Sequence, residues 1–348
     1  MTSLPPESPK TFADLRSLLR NLPPAAETCA AAARARQAEL TKPAGSLGRL
    51  EEIAEFLARW QGRDRPALDR ALVLIFAGNH GIVAQGVSAY PASVTQAMVD
   101  NFAAGGAAIN QICKTFALDL KVVPLDLATA TEDFTQAPAM DEATTVAYFA
   151  RGMASLPADA DLVAIGEMGI GNTTSAAAVY AALYGGVAAY WAGRGTGLDD
   201  AGLARKIAAI EAALARHAAH LSEPLDVLRR FGGREIAAMA GTMVAARRAG
   251  IPVLLDGYVA CAAAAVLHAQ NPELIAHCLA GHKSVEGAHA DVLARLGKKP
   301  LLELGMRLGE ASGAALAAGL VKAALACHNG MATFAEAQVA EKSGDGRA

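Results

Sequence analysis

Leu162-Val-Ala-Ile-Gly-Glu-Met-Gly-Ile-Gly-Asn-Thr-Thr-Ser-Ala-Ala-Ala178 decides the fold. An apolar run ends at Gly166, the following loop carries a single acid, Glu167, and Thr173, Thr174 and Ser175 open an alanine-rich helix. A strand that turns through glycines into a helix N-terminus makes an anion site. First-turn amides lack partners within the helix, and the helix dipole places partial positive charge there. The loop has neither the lysine of a P-loop nor the spacing of G-x-G-x-x-G. As a pattern it reads as a phosphate-binding loop or as a tight structural turn.

Outward from this stretch the same grammar repeats. Residues 71–77 form a continuous apolar run ending in Gly78, as expected of a strand buried on both faces. Further strands are predicted at 120–125, 162–165, 252–255 and 273–279. Helices are predicted at 93–116, 173–183, 201–220, 234–249, 258–270 and 285–296. The alternation predicts an α/β fold with a mostly parallel sheet covered by helices, and ligands bound outside the carboxyl ends of the strands. The polar loops after Phe76, Ile165 and Leu255 fall there. The ends of the chain read as helical: 12–22, 25–40, a third helix from Ser46 as N-cap, then 301–308 and a long helix reaching His328. This predicts a smaller helical domain, 1–65 together with 300–348, beside a catalytic core at 66–299. The tail after Ala340 reads as disordered.

Composition removes several function classes. A chain of 348 residues can bury a sizeable core, and a formal net charge of −3 provides no basic face for nucleic acid. Residues 168–193 are uncharged, but alanine is too weakly apolar to make them a convincing membrane span, so they read as a buried helix. The first ten residues hold no apolar signal-peptide region. Five cysteines, at 29, 113, 261, 278 and 327, form no C-x-x-C pair. They read as small buried hydrophobes in a reducing compartment, hence a cytoplasmic protein.

Four further places carry candidate chemistry. Gly193-Arg-Gly-Thr-Gly197, with Arg205 and Lys206 on the next helix, is an anion nest or a flexible turn. His80 in Gly78-Asn-His-Gly81 stands at the sheet edge as acid, base, ligand or hydrogen-bonded loop residue. His282, Glu286 and His289 would share one face if helical, yet no H-E-x-x-H accompanies them. A polar loop offering Ser284 to a ligand is the better reading, with no metal expected. Glu310 lies among small apolar residues, where burial raises a carboxyl pKa toward that of a neutral-pH general base. Its plainer reading is a partner of the helix dipole.

Taken together the chain resembles the nicotinate-nucleotide:dimethylbenzimidazole phosphoribosyltransferase family. The resemblance rests on Lys42-Pro-Ala-Gly-Ser-Leu-Gly-Arg-Leu-Glu51, Gly78-Asn-His-Gly-Ile82, Gly86-Val-Ser-Ala-Tyr-Pro91 and Gly166-Glu-Met-Gly-Ile-Gly-Asn-Thr-Thr174. It continues through Gly193-Arg-Gly-Thr-Gly-Leu-Asp199, Leu255-Asp-Gly-Tyr258, Gly281-His-Lys-Ser284 and Leu304-Gly-Met-Arg-Leu-Gly-Glu310. Asn79, Ser175 and Ala311 depart from the usual Asp, Pro and Gly.

The resemblance implies a Rossmann-like three-layer α/β/α core in a homodimer. It also implies phosphoribosyl transfer from nicotinate mononucleotide to 5,6-dimethylbenzimidazole, with no cofactor and no metal. It assigns Glu310 as general base and Glu167 as electrostatic support for charge developing on the ribose. Phosphate and ribose contacts are expected from Gly169, Gly171, Asn172, Thr173, Thr174, Gly193, Gly195, Lys206, Gly257 and Ser284. The benzimidazole pocket is expected from Ser88, Tyr90, Gln96, Met168 and Leu308. The rival readings are a nucleotide-binding regulatory protein without turnover and a metal-dependent hydrolase acting through His282, Glu286 and His289.

Overall fold

The computed structural model describes residues 9–339; the predicted disordered tail lies outside them. Five strands, β1 (Ala71–Ala77), β2 (Asp119–Pro124), β3 (Leu162–Met168), β4 (Val253–Leu255) and β5 (Cys278–Ala280), form one sheet. Its order is β2-β1-β3-β4-β5, and every pairing is parallel. The helices are α1 (Phe12–Arg20), α2 (Glu27–Glu39), α3 (Arg49–Gln61), α4 (Ser93–Ala103), α5 (Ala108–Phe116), α6 (Glu142–Ser155) and α7 (Asn172–Tyr184). They continue as α8 (Ala188–Trp191), α9 (Asp200–His217), α10 (Pro224–Phe231), α11 (Arg234–Ala249), α12 (Tyr258–Gln270), α13 (His289–Arg295), α14 (Ser312–Gly330) and α15 (Phe334–Ala337).

Strand residues alternate between two cores, as the pleat demands. Leu72, Leu74, Phe76, Val163, Ile165, Val253 and Leu255 face the larger core with α6, α7, α10, α11 and α12. Ala71, Val73, Ile75, Leu162, Ala164 and Leu254 face the other, under α3, α5 and α14. This is the expected three-layer α/β/α arrangement. The sheet is wound outward from neighbouring β1 and β3, so the loops after these two strands diverge and leave a crevice. Among the described residues no helix is long and apolar enough to cross a membrane.

Several predicted elements differ for identifiable reasons. The predicted strand 273–279 is a 3-10 turn at Pro272–Ile275 followed by the short β5; Pro272 has no N–H to give a ladder. Residues 93–116 are two helices, broken at Gly105-Gly106. The helix predicted from Ser46 begins at Arg49, behind a left-handed Gly48 with φ +52°. The helix predicted at 285–296 begins only at His289, after Gly287 with φ +43°. Residues 301–308 are not helical: Leu302 bridges His282 in parallel, and its amide donates to Gly281 O at 3.0 Å. Helix α6 was missed, although Asp141 caps it by accepting the Thr144 amide proton at 2.7 Å.

The tightest constraint on the crevice is at Gly166. A Cβ there would fall inside contact distance of the Ala311 backbone and 2.7 Å from Ala311 Cβ. We therefore expect Gly166→Ala to push β3 and the start of α14 apart at a cost of about 1–3 kcal/mol. That should lower the thermal midpoint by roughly 2–10 °C; an unchanged midpoint in differential scanning calorimetry would refute the close approach.

Candidate active site

A cavity of about 90 Å³ opens at the carboxyl ends of β3 and β4. It is lined by Glu167, Met168, Gly169, Ile170, Asn172, Thr173, Gly195, Thr196, Gly257, Tyr258, Val259, His282, Ser284, Glu286, Arg307, Leu308 and Gly309. The floor is the loop from β3 into α7. Gly171, with φ +95°, turns the chain into α7 and leaves its N-terminus without a side-chain cap. The loop is pinned from both sides: Gly78 N–H donates to Met168 O at 3.0 Å, and Ile170 N–H donates to Thr95 Oγ1 at 3.2 Å.

Two acids stand beside that loop: Glu167, half-buried in the cavity lining, and Glu310, buried and outside that lining. The chain passes through three successive left-handed residues, Gly309 (φ +83°), Glu310 (+60°) and Ala311 (+59°), before α14 begins. This bend places the Glu310 amide 3.3 Å from Glu167 O. Burial, then the nearby Asp256 charge, push the Glu310 carboxyl up to about 7. The same two causes push Glu167 up to about 8, against the bond that Asn172 Nδ2 donates to Glu167 Oε2. Asp256, itself raised by burial and partly offset by His282, accepts the Ala314 amide proton at 3.0 Å and so caps α14 from the end of β4.

The second wall is the 193–197 loop. Buried Lys206 donates to Thr173 Oγ1 at 2.8 Å and to Gly193 O at 3.0 Å, stitching this loop to the start of α7. Burial lowers Lys206 to about 8, with Glu286 opposing the fall. Glu286 is 7% exposed and accepts the Gly195 amide proton at 2.9 Å. One backbone donor of the nest thus already holds a carboxylate.

Of the predicted phosphate and ribose residues, Gly169, Asn172, Thr173, Gly195, Gly257 and Ser284 line the cavity. Gly171, Thr174, Gly193 and Lys206 lie behind its wall, and Thr174 is fully buried. Met168 and Leu308 of the predicted base pocket also line it. Ser88, Tyr90 and Gln96 do not. Ser88 Oγ accepts the Tyr90 amide proton at 3.2 Å, and Gln96 Nε2 donates to Asp100 at 2.8 Å on exposed surface. Residues 282–286 are not helical, and His289 turns away: its Nδ1 accepts the Ser284 amide proton at 2.9 Å and its Nε2 lies 3.3 Å from Cys261 Sγ.

His80 is fully engaged: Nδ1 accepts from Ser175 Oγ at 2.9 Å, and Nε2 donates to Glu235 Oε1 at 2.7 Å. It braces the first turn of α7 from below. Asp256, Glu235 and the place of His282 in the cavity wall were missed. Asp256 follows a strand end directly, which was the available signal; Glu235 gives none until α11 is folded onto the site.

A family model described as phosphoribosyltransferase matches residues 22–339. A protein of Methylocella silvestris named nicotinate-nucleotide--dimethylbenzimidazole phosphoribosyltransferase is 66% identical over 330 residues, covering 95% of this chain and 97% of its own length. The protein of the same name from Rhizobium rhizogenes is 60% identical, covering 95% and 98%. The crystal structure of CobT from Thermus thermophilus superposes with a TM-score of 0.83 at 41% identity, over 90% of this chain and all of that one.

The raised Glu167 pKa has a testable consequence for stability. A carboxyl with a folded pKa of about 8, against an ordinary value of 4.5, favours folding while protonated and loses that contribution as pH rises through about 8. Glu167→Gln, which keeps an acceptor for Asn172, should therefore raise the thermal midpoint at pH 9 by several degrees, roughly 2–4 °C per kcal/mol. The two proteins should converge below pH 4. A gap that is equal at both pH values would contradict the raised pKa.

Proposed function

We infer the chemistry from two premises, the first being that this chain belongs to the nicotinate-nucleotide--dimethylbenzimidazole phosphoribosyltransferase family. The second is the pair of acids beside an uncapped helix N-terminus, cavity-lining Glu167 and buried Glu310, the observation that carries the residue roles. The reaction is transfer of the phosphoribosyl group from nicotinate mononucleotide to 5,6-dimethylbenzimidazole, giving α-ribazole 5′-phosphate and nicotinate.

The pyridine ring leaves neutral because it begins as a pyridinium, so the departing group needs no strong acid. The attacking benzimidazole nitrogen becomes cationic as it bonds to C1′, and the proton on the second ring nitrogen must be lost. Glu310 is the base that takes it. Burial keeps its pKa near 7, high enough to accept a proton and low enough to be ionised at neutral pH. Glu167, at the cavity end of β3, stabilises positive charge developing on the ribose when ionised. Attack on the face opposite the leaving ring turns a β- into an α-glycosidic bond. Gly169, Asn172, Thr173, Gly195, Gly257 and Ser284 face the phosphoribosyl group from the cavity lining, and Gly171, Thr174, Gly193 and Lys206 fix the wall behind them. Holding two planar rings about C1′ contributes through orientation.

Met168 and Leu308 supply apolar surface for the benzimidazole. A homodimer belongs to the same reading and is supported by apolar side chains left open near the rim: Leu308 is 54% exposed and Leu304 60%. So does a cytoplasmic location, supported by five free cysteines.

The direct test mixes purified protein with nicotinate mononucleotide and dimethylbenzimidazole and follows nicotinate release. No release from folded protein would favour the regulatory reading, binding without turnover. Glu310→Gln should retain substrate binding and lose about 10²–10⁴-fold in turnover. In the parent protein kcat/KM should climb as pH rises through about 7, a limb the variant lacks; equal activity would remove Glu310 as the base. Lys206→Ala should raise KM for the mononucleotide more than KM for the benzimidazole. The opposite ranking, in steady-state kinetics, would take Lys206 out of the phosphoribosyl site.

A further inference from the structure

His282 is buried to 1% exposure and lines the cavity. Among the described residues neither of its ring nitrogens has a hydrogen-bond partner. The closest charged group is Asp256, whose Oδ1 lies 3.6 Å from Nε2, beyond hydrogen-bond reach. Asp256 has its own task, capping α14 through Ala314. A buried imidazole with nothing to bond is costly, and such groups in folded proteins call for an explanation.

The ring is placed with care. Its backbone is clamped between β5 and the extended 301–302 segment: Lys283 N–H donates to Leu302 O at 2.8 Å, and Leu302 N–H to Gly281 O at 3.0 Å. The ring lies against Gly313, where a Cβ would come 2.6 Å from Nε2. On the cavity side Nε2 approaches the N-terminus of α12: a Cβ on Gly257 would lie 3.2 Å from Nε2 and 3.7 Å from Ser284 Cβ. Helix α12 has 13 residues and no side-chain cap among the described residues. An uncapped helix start, an unpartnered imidazole and the side chain of Ser284 therefore meet at one place; Ser284 Oγ accepts the Glu286 amide proton at 3.1 Å and keeps its own proton to donate. The Gly195 amide, by contrast, is already taken by Glu286.

We propose that His282 is a substrate-contacting residue that donates a hydrogen bond to the phosphate monoester of the nucleotide, seated at the N-terminus of α12 with Ser284. This deepens the function proposed above and rests on it for the identity of the nucleotide. An imidazole N–H to a phosphate oxygen is a charge-assisted bond, and the helix dipole at Gly257 adds to it.

The test compares binding of nicotinate mononucleotide and of its dephosphorylated riboside, by calorimetry, to the parent protein, His282→Ala and His282→Phe. The phenylalanine fills the same space against Gly313 without a donor, so it keeps the test open if the alanine variant does not fold. We expect mononucleotide affinity to fall about 10- to 100-fold and riboside affinity to stay within about twofold. His282→Asn, which restores an N–H, should recover part of the loss. Equal losses for both ligands would place the contact on the ribose and overturn the proposal, as would no change for either. A parent protein that binds the mononucleotide in this pattern but releases no nicotinate would leave His282 in place and fail the transferase reading instead.

Discussion

At Gly166 the backbone of β3 meets the amide of Ala311 with no side chain between them, and Asp256 reaches from the end of β4 to accept the Ala314 amide proton of the same helix start. These two contacts hold the left-handed run Gly309–Glu310–Ala311 against the sheet. Left-handed geometry costs an L-residue about 1–2 kcal/mol, so Glu310 and Ala311 persist there only because their surroundings over-determine them. The bend sets the Glu310 amide against Glu167 O and leaves the Glu310 side chain buried. Ala311, where a glycine is usual among proteins this chain resembles, carries that cost in its own backbone.

Electrostatics follows from the same geometry. Glu167, Asp256 and Glu310 lie within reach of one another's charge, Asp256 and Glu310 buried and Glu167 at the cavity wall, and each raises the pKa of another or has its own raised. Like charges in a low dielectric cannot all ionise at neutral pH, so protons are distributed among them. A cluster of this kind can release or accept a proton without a large change in net charge elsewhere. Lys206, lowered to about 8 by burial, is poised near neutrality from the opposite side.

Much of this was legible in the sequence because it was local. The apolar runs at 71–77 and 162–165 declare strands buried on both faces, and Gly169-Ile-Gly171 followed by Asn172-Thr-Thr174 declares the helix start. Glu310 stood out as a lone acid among small residues. What was hidden depends on distance in the chain. Asp256 acts on a helix 58 positions later, the Glu235–His80–Ser175 chain joins three separate elements, and nothing local to His282 reveals that both its nitrogens stay free. The 301–308 segment was misread because its leucines have helical spacing, whereas pairing with Gly281 and His282 decided its conformation. Tyr90 and Gln96 show the limit of carrying roles by motif: their residues match, but their side chains stand outside the cavity.

Glu286 on the Gly195 amide sets a condition on what the 193–197 loop can bind. The nest is never bare, because a tethered carboxylate occupies it at high local concentration. Any free oxyanion aimed at that amide must outcompete a group that cannot diffuse away, and its apparent affinity is the difference between two similar interactions. A ligand that spans several parts of the cavity at once can win that contest, so the carboxylate works as an internal filter against incomplete substrates.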